Sequence, residues 1–80
     1  MRKDIFVKML KDALNLNRKS RREIKSAIKY LNLALKHLKK ANTIVADYYY
    51  EHLQEDIKDL ERHLRQLKIR ANRIKRELQK

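Results

Sequence analysis

The chain has 80 residues with no glycine, proline or cysteine, and its net charge is +12. The absent residues exclude the usual turns of β-hairpins, phosphate-cradling glycine loops, disulfides and cysteine metal sites. One small all-α domain over residues 1–80 remains, and so large a positive charge indicates an anionic partner, nucleic acid before acidic lipid or protein.

The N-terminal segment, residues 1–8, starts with charged residues and lacks the sustained apolar stretch of a secretory signal. No apolar run in the chain approaches the roughly 20 residues that a membrane-spanning helix needs. We therefore expect a soluble, cytoplasmic protein, and we disfavour a membrane as its partner.

Residues 1–41 carry a heptad pattern, in which apolar a and d positions alternate at spacings of three and four. From residue 13 on, the g positions beside this seam, residues 13, 20, 27, 34 and 41, are all small, which lets a neighbouring helix approach closely. The pattern predicts a long first helix over about residues 3–40. Its seam consists of Val7, Leu10, Leu14, Asn17, Arg21, Ile24, Ile28, Leu31, Leu35 and Leu38.

Two polar residues, Asn17 and Arg21, interrupt this first seam. Ser20 and Glu23 also match a capping box, which could start a new helix and give a three-helix protein. The heptad frame passes through residues 15–20 without a shift, however, and this favours one continuous helix. Arg21 then either extends its guanidinium to solvent or forms a polar layer with Asn17 that sets the helix register.

At residues 41–43 the frame does shift, by one residue. Such a shift would turn the apolar stripe by about 100° on a continuous helix and disrupt its packing. Asn42 can adopt a left-handed conformation at a helix end, and Thr43 can cap the helix that follows. We therefore predict a tight turn here.

The second seam runs without interruption through the rest of the chain, and it predicts a helix over residues 44–79. Folding at residue 42 sets Leu38 against Ala46 and Val7 against Leu78, so the chain forms a long antiparallel helical hairpin. The second seam consists of Thr43, Ala46, Tyr50, Leu53, Ile57, Leu60, Leu64, Leu67, Ala71, Ile74 and Leu78.

A lone hairpin covers each helix on one side only, and many large apolar residues lie outside both seams. So many exposed apolar residues are a liability for a two-helix protein, and pairing two hairpins would bury most of them. We expect a homodimer that forms a four-helix bundle. The residues concerned are Phe6, Met9, Leu16, Tyr30, Leu33, Ile44, Val45, Tyr48, Tyr49 and Ile69.

The hairpin separates charge along its length. Residues 28–59, near the turn, contain five basic and five acidic residues, so the whole net charge of +12 belongs to the open end. From residue 8 on, the b and e positions of the first helix are also free of acidic residues, unlike an ordinary solvated surface. These positions, here called the basic stripe, are Lys8, Lys11, Asn15, Arg18, Arg22, Lys25, Lys29, Asn32, Lys36 and Lys39.

Long basic ridges on a rigid rod suit the phosphate backbone of nucleic acid, and arginine adds bidentate geometry. Little indicates sequence-specific reading: residues 18–22 superficially resemble the basic region of a leucine zipper, but no base-reading motif is present. The nucleic-acid-binding residues predicted from the pattern are Arg18, Arg22, Lys25, Arg62, Arg65, Arg73 and Arg76.

The sequence contains no pattern of catalytic residues, because no nucleophile lies beside a base and an acid. We therefore expect neither an enzyme nor a small-molecule substrate. The row from His52 to His63, with Asp56 and Asp59, could bind zinc, but we interpret these positions as solvated and expect no metal or cofactor. The function predicted is a non-enzymatic DNA- or RNA-binding protein. The alternative is a structural or adaptor protein of a virus or plasmid that works through helix-mediated protein–protein interaction.

Overall fold

The protein is a hairpin of two long α-helices. A computed structural model describes residues 2–80, with α1 spanning Arg2–Ala41 and α2 spanning Ile44–Gln79. The hairpin is a thin rod of 62 × 14 × 14 Å, and Met1, the first residue of the predicted domain, lies outside the described residues. The predicted all-α hairpin is confirmed, with helix bounds correct to within one residue. Neither helix of the described chain is both long and apolar enough to cross a bilayer.

The first helix is continuous through residues 15–20. The alternative of a helix break in this segment, which would have given three helices, is therefore wrong. Ser20 and Glu23 lie inside α1, and the capping-box match has no structural role there. The continuity of α1 follows from its unshifted heptad frame, because both halves of the helix present one uninterrupted apolar stripe to α2.

The turn between the helices consists of Asn42 and Thr43, as predicted. Asn42 has a φ of 50°, in the left-handed region that asparagine tolerates better than most residues. Thr43 is extended, with φ −128° and ψ 159°, and its Oγ1 accepts a hydrogen bond of 3.0 Å from the amide of Ala46. The amide of Asp47 donates to the Thr43 carbonyl at 3.0 Å. The Thr43 side chain thereby satisfies the Ala46 amide, one of the amides in the first turn of α2 that have no partner within the helix.

The helices bury the predicted seams against each other. Every residue of both seams is buried or half-buried except Thr43, which caps α2 instead. Among residues 3–80 only Ala27 and Ala34, two of the small g residues, are half-buried outside the seams. Full burial is rare, because each helix has one neighbour. The residues exposed by less than a tenth are Ala46 at 5%, Ile57 at 7% and Ala71 at 1%.

A hydrogen bond between the helices fixes their register. The Asn17 side-chain amide donates to the Leu67 carbonyl at 3.0 Å, and the Arg21 Nε donates to Asn17 Oδ1 at 2.8 Å. Of the two arrangements left open for Arg21, the polar layer with Asn17 is therefore present, and it includes the backbone of α2. Residues 17 and 67 therefore lie at the same height along the rod, which agrees with the register predicted by folding the chain at residue 42.

Large apolar side chains remain uncovered on the outside of the rod. All ten that the pattern placed outside the seams are exposed, from Leu33 at 44% to Ile44 at 89%, and Ile5 joins them at 63%. A rod only 14 Å thick has no interior to receive them. The hairpin therefore presents apolar surface as well as charge to its surroundings.

Candidate nucleic-acid interface

The basic stripe forms a continuous exposed ridge along α1. All ten of its residues are exposed, eight of them are basic, and they recur on one flank because positions b and e lie close together on a helix. Arg18, Arg22 and Lys25 lie in its middle. The ridge therefore offers cationic groups to solvent along most of the rod.

Few carboxylates compete for these cations. Among the side chains of residues 3–80, two ion pairs form, Arg62 with Asp59 at 3.7 Å and Lys80 with Glu77 at 3.1 Å. The first pair lies within α2, the second joins α2 to the residue that follows it, and both are largely exposed. The basic side chains of α1 in this part of the chain have no intramolecular counter-charge at contact distance, so their field extends into solvent.

The two helices together form a groove lined only by basic side chains, here called the cationic groove. Its volume is about 330 Å³, and its lining residues are Arg18, Arg21, Arg22 and Lys25 of α1 and Lys75 of α2. Five positive charges around one small groove repel one another, so an anion that enters it relieves the repulsion. Arg18, Arg22 and Lys25 come from the basic stripe of α1 and Arg21 from its seam, and Lys75 completes the groove from the facing helix.

The cationic groove continues along the rod toward the turn. Lys25 is shared with a neighbouring depression of about 460 Å³, which Ile28 and Leu33 line together with Lys29, Asn32 and Lys36. A further depression shares Asn32 and Lys36 and ends at Lys39. From residue 18 to residue 39 this surface is about 32 Å long at 1.5 Å per residue, close to one turn of B-DNA.

The seven predicted binding residues do not form one site. Arg18, Arg22 and Lys25 meet in the cationic groove. Arg65 occupies a b position of α2, on the same side of the hairpin as the groove, whereas Arg62 is turned to Asp59. Arg73 lines a separate shallow depression with Arg70, Gln66 and Ile69, and Arg76 lies on the outer face of α2.

Two groove residues were missing from the predicted set. Arg21 is a seam residue that bonds Asn17, yet the rest of its guanidinium also lines the groove. In the predicted register of the hairpin, Lys75 and Arg18 are about 12 Å apart along the helix axis. Helical side chains lean toward the N-terminus of their own helix, so in an antiparallel pair these two lean toward each other. That lean is the signal that could have identified Lys75.

The remaining polar and aromatic clusters do not form a site of this kind. Within the described residues no group of three or more histidine, aspartate or glutamate side chains could hold a metal ion. Tyr48 contacts Tyr49 edge to face at 5.4 Å and His52 at 4.3 Å between ring centroids, all near the charge-neutral turn. Tyr50 is half-buried in the seam, as its spacing predicted.

No known protein family, curated protein sequence or solved structure matches this chain.

Proposed function

We propose that the protein is a non-enzymatic nucleic-acid-binding protein, which acts as a small helical dimer and contacts mainly the phosphates of DNA or RNA. The observation that carries this proposal is the cationic groove, which five basic residues line with no carboxylate among them. The exposed basic stripe extends the same charge over the length of one duplex turn. A flexible polyanion can follow such a surface without any base-specific contact.

A fluorescence anisotropy titration at several salt concentrations tests the proposal. Three labelled probes are compared: a duplex DNA, a duplex RNA of the same sequence, and one single strand. The duplexes have about 20 base pairs, which is twice the length of the groove surface. If the five groove cations each neutralise a phosphate, log K against log salt has a slope of about −4.5 on duplex DNA. Raising the salt from 50 to 200 mM then weakens binding about 500-fold.

A matched pair of charge reversals localises the contact. Arg22→Glu/Lys25→Glu changes two groove residues, whereas Lys19→Glu/Lys40→Glu changes the net charge equally at two residues outside the groove lining, on the face of α1 opposite the seam. The groove variant should lower the magnitude of the salt slope by about 2, and the control should change it by less than about 0.5. Equal losses in both variants, or no binding to any probe at low salt, would refute the proposal.

We propose further that two hairpins associate into a four-helix bundle, since the exposed apolar side chains need a cover. Sedimentation equilibrium at micromolar concentration should give twice the 9.8 kDa mass of the chain. A folded monomer at that concentration would contradict the dimer.

A second candidate function is a structural or adaptor protein that docks on another protein. The exposed apolar residues near the turn, Ile44, Val45 and Tyr48, favour it, because they lie where the net charge is zero. Complexes of this kind persist at high salt, whereas phosphate contacts dissociate. Retention of a defined partner in 1 M salt, together with absent nucleic-acid binding, would select this candidate.

A further inference from the structure

A second stripe of α1 lies outside the seam on the side away from the basic stripe. From residue 6 to residue 41 its g and c positions contain no lysine and no arginine, although the chain has 22 such residues. All of these positions are exposed except the half-buried alanines 27 and 34. This surface, here called the apolar flank, consists of Phe6, Met9, Ala13, Leu16, Ser20, Glu23, Ala27, Tyr30, Ala34, His37 and Ala41.

The apolar flank has the spacing of a helix-packing surface. Its residues follow one another at three and four residues, the same period as the buried seam. At about 100° per residue it lies about 110° from the seam and about 150° from the basic stripe. A helix that packs on the flank would therefore leave the cationic groove open, and α1 would have the two adjoining contact faces of a helix in a bundle.

We infer that the apolar flank of α1 docks on the apolar flank of a second copy, with the two α1 helices antiparallel. This inference rests on the dimer of the proposed function and assigns its surface, orientation and register. The symmetry of such a contact requires that the flank be complementary to itself.

An antiparallel contact that sets g positions against c positions is self-complementary, because from residue 13 on the g residues are small and the c residues are large. The register with residue 20 opposite residue 23 of the second copy also covers the flank from end to end, and in it Ala13 faces Tyr30. The one carboxylate of the flank, Glu23, then faces the hydroxyl of Ser20. The pairs are Phe6 with His37, Met9 with Ala34, Ala13 with Tyr30, Leu16 with Ala27 and Ser20 with Glu23.

A parallel contact would lack this fit. It sets each flank residue against itself, so that tyrosine meets tyrosine, alanine meets alanine, and Glu23 meets another Glu23 at the same level. Large layers would be crowded, small layers would leave gaps, and two like charges would be adjacent.

The charge distribution favours the same orientation. All the net positive charge of each hairpin lies at its open end, and a parallel pair would place the two open ends together. In the antiparallel register the centres of these two basic regions, near residue 14 of each α1, are about 22 Å apart along the axis, beyond the screening length of about 8 Å at physiological salt. This register also brings the near-neutral turn region of one copy beside the basic end of the other.

The antiparallel register also covers apolar residues of α2. Tyr49 and Val45 occupy g and c positions of α2, on the same side of the hairpin as the flank, and they are 53% and 65% exposed. By the hairpin register Tyr49 lies level with residue 35 of α1, which is opposite residue 8 of the second copy. It therefore comes between Phe6 and Met9 of that copy.

The area available is consistent with a stable pair. Phe6, Met9, Leu16 and Tyr30 are 53%, 64%, 64% and 69% exposed. Covering these four removes roughly 450 Å² per copy, at about 180 Å² for a fully exposed side chain of this size. This is more than half of the about 800 Å² per partner of a standard interface, before the other flank residues and Tyr49 are counted.

Disulfide trapping tests the surface and the orientation together, because the chain contains no cysteine of its own. In Ala13→Cys/Tyr30→Cys the two thiols are about 25 Å apart on one helix and cannot pair within a chain. In the inferred dimer the thiol at position 13 of one copy faces the thiol at position 30 of the second copy, and the thiol at position 30 faces that at position 13. Met9→Cys/Ala34→Cys is an independent pair on the same surface, in case the first variant folds poorly.

Two controls have the same reactivity but the wrong geometry. Lys11→Cys/Asn32→Cys is centred on the same point of α1 but lies on the basic stripe. Ala13→Cys alone is on the flank, but its thiols are about 25 Å apart in the antiparallel pair and adjacent in a parallel one. Both flank pairs should form covalent dimer about 100-fold faster than either control, since docked thiols have millimolar effective concentration and free chains micromolar.

Cross-linking of the single variant as fast as the double would establish a parallel pair and overturn the inference. Equal rates for the flank and stripe pairs, or none for both flank pairs, would also overturn it. Nucleic acid is absent from this experiment, so a failure of nucleic-acid binding leaves its result unchanged. A chain that sediments as a dimer without cross-linking at the flank would retain the dimer and refute its assigned surface.

Discussion

The Asn17 side chain is the strongest single test of the hairpin register. Its amide donates to the Leu67 carbonyl at 3.0 Å and accepts from Arg21 Nε at 2.8 Å. A neutral hydrogen bond contributes about 0.5–1.5 kcal/mol and a charged one about 1.5–3 kcal/mol, and partial exposure places both at the low end. Asn17→Ala should therefore lose about 2 kcal/mol of hydrogen bonding from the free energy of unfolding.

The same substitution also changes helix propensity, which a second asparagine of α1 can measure. Alanine favours a helix over asparagine by about 0.6 kcal/mol at either position. Asn15 is exposed on the basic stripe and forms no side-chain hydrogen bond with the described residues. Asn15→Ala thus reports propensity alone, and Asn17→Ala should be less stable than Asn15→Ala by about 2 kcal/mol.

Urea unfolding followed by circular dichroism measures this difference. The protein concentration must be equal in all samples, because dimerisation makes the midpoint depend on concentration. With an m-value of about 1.5 kcal/mol/M, the two midpoints should differ by about 1.3 M. If the variants unfold at the same urea concentration, the contact between Asn17 and α2 does not stabilise the hairpin and the reasoning about register is refuted.

Two further substitutions test the cap and the seam in the same unfolding assay. Thr43→Ala removes the hydrogen bond to the Ala46 amide and should lower the free energy of unfolding by about 1 kcal/mol. Thr43→Ser keeps the hydroxyl oxygen and should differ little from the parent protein. Equal stability of the two variants would contradict the capping role. Ile57→Ala should lose about 2–4 kcal/mol because Ile57 is 7% exposed. The matched change Ile69→Ala, at a position that is 54% exposed, should lower the free energy of unfolding by less than about 1 kcal/mol. Similar losses at both positions would mean that the seam is not the main packed surface.

The backbone architecture could be predicted from the sequence because one periodic signal dominates it. The heptad frame continues through Asn17 and Arg21, and it shifts only at Asn42 and Thr43. A one-residue shift is incompatible with a single packed helix, so the position of the turn followed from the pattern. The capping-box match at Ser20 was misleading, because a local signal of about 1 kcal/mol cannot outweigh a stripe of packed side chains on both sides of it.

The cationic groove could be predicted only in part. Heptad positions assign Arg18, Arg22 and Lys25 to one flank, and the pattern identified all three. The participation of Arg21 and Lys75 depends on how far long side chains reach and which way they lean, and these are properties of rotamers rather than of spacing. Arg73 and Arg76, which the charge pattern grouped with the others, lie elsewhere on the rod because they occupy c and f positions of α2.

The turn at Asn42 also bears on the order in which the hairpin assembles. Leu38 and Ala46 flank the turn and are eight residues apart, whereas Val7 and Leu78 close the open end from 71 residues apart. Closing the longer loop first costs about 2 kcal/mol more chain entropy than closing the shorter one. We therefore expect the helices to pair from the turn outward, with the open end closing last and opening first. That end carries the whole net charge, so a bound polyanion would act on the slowest-closing part of the rod and hold it shut.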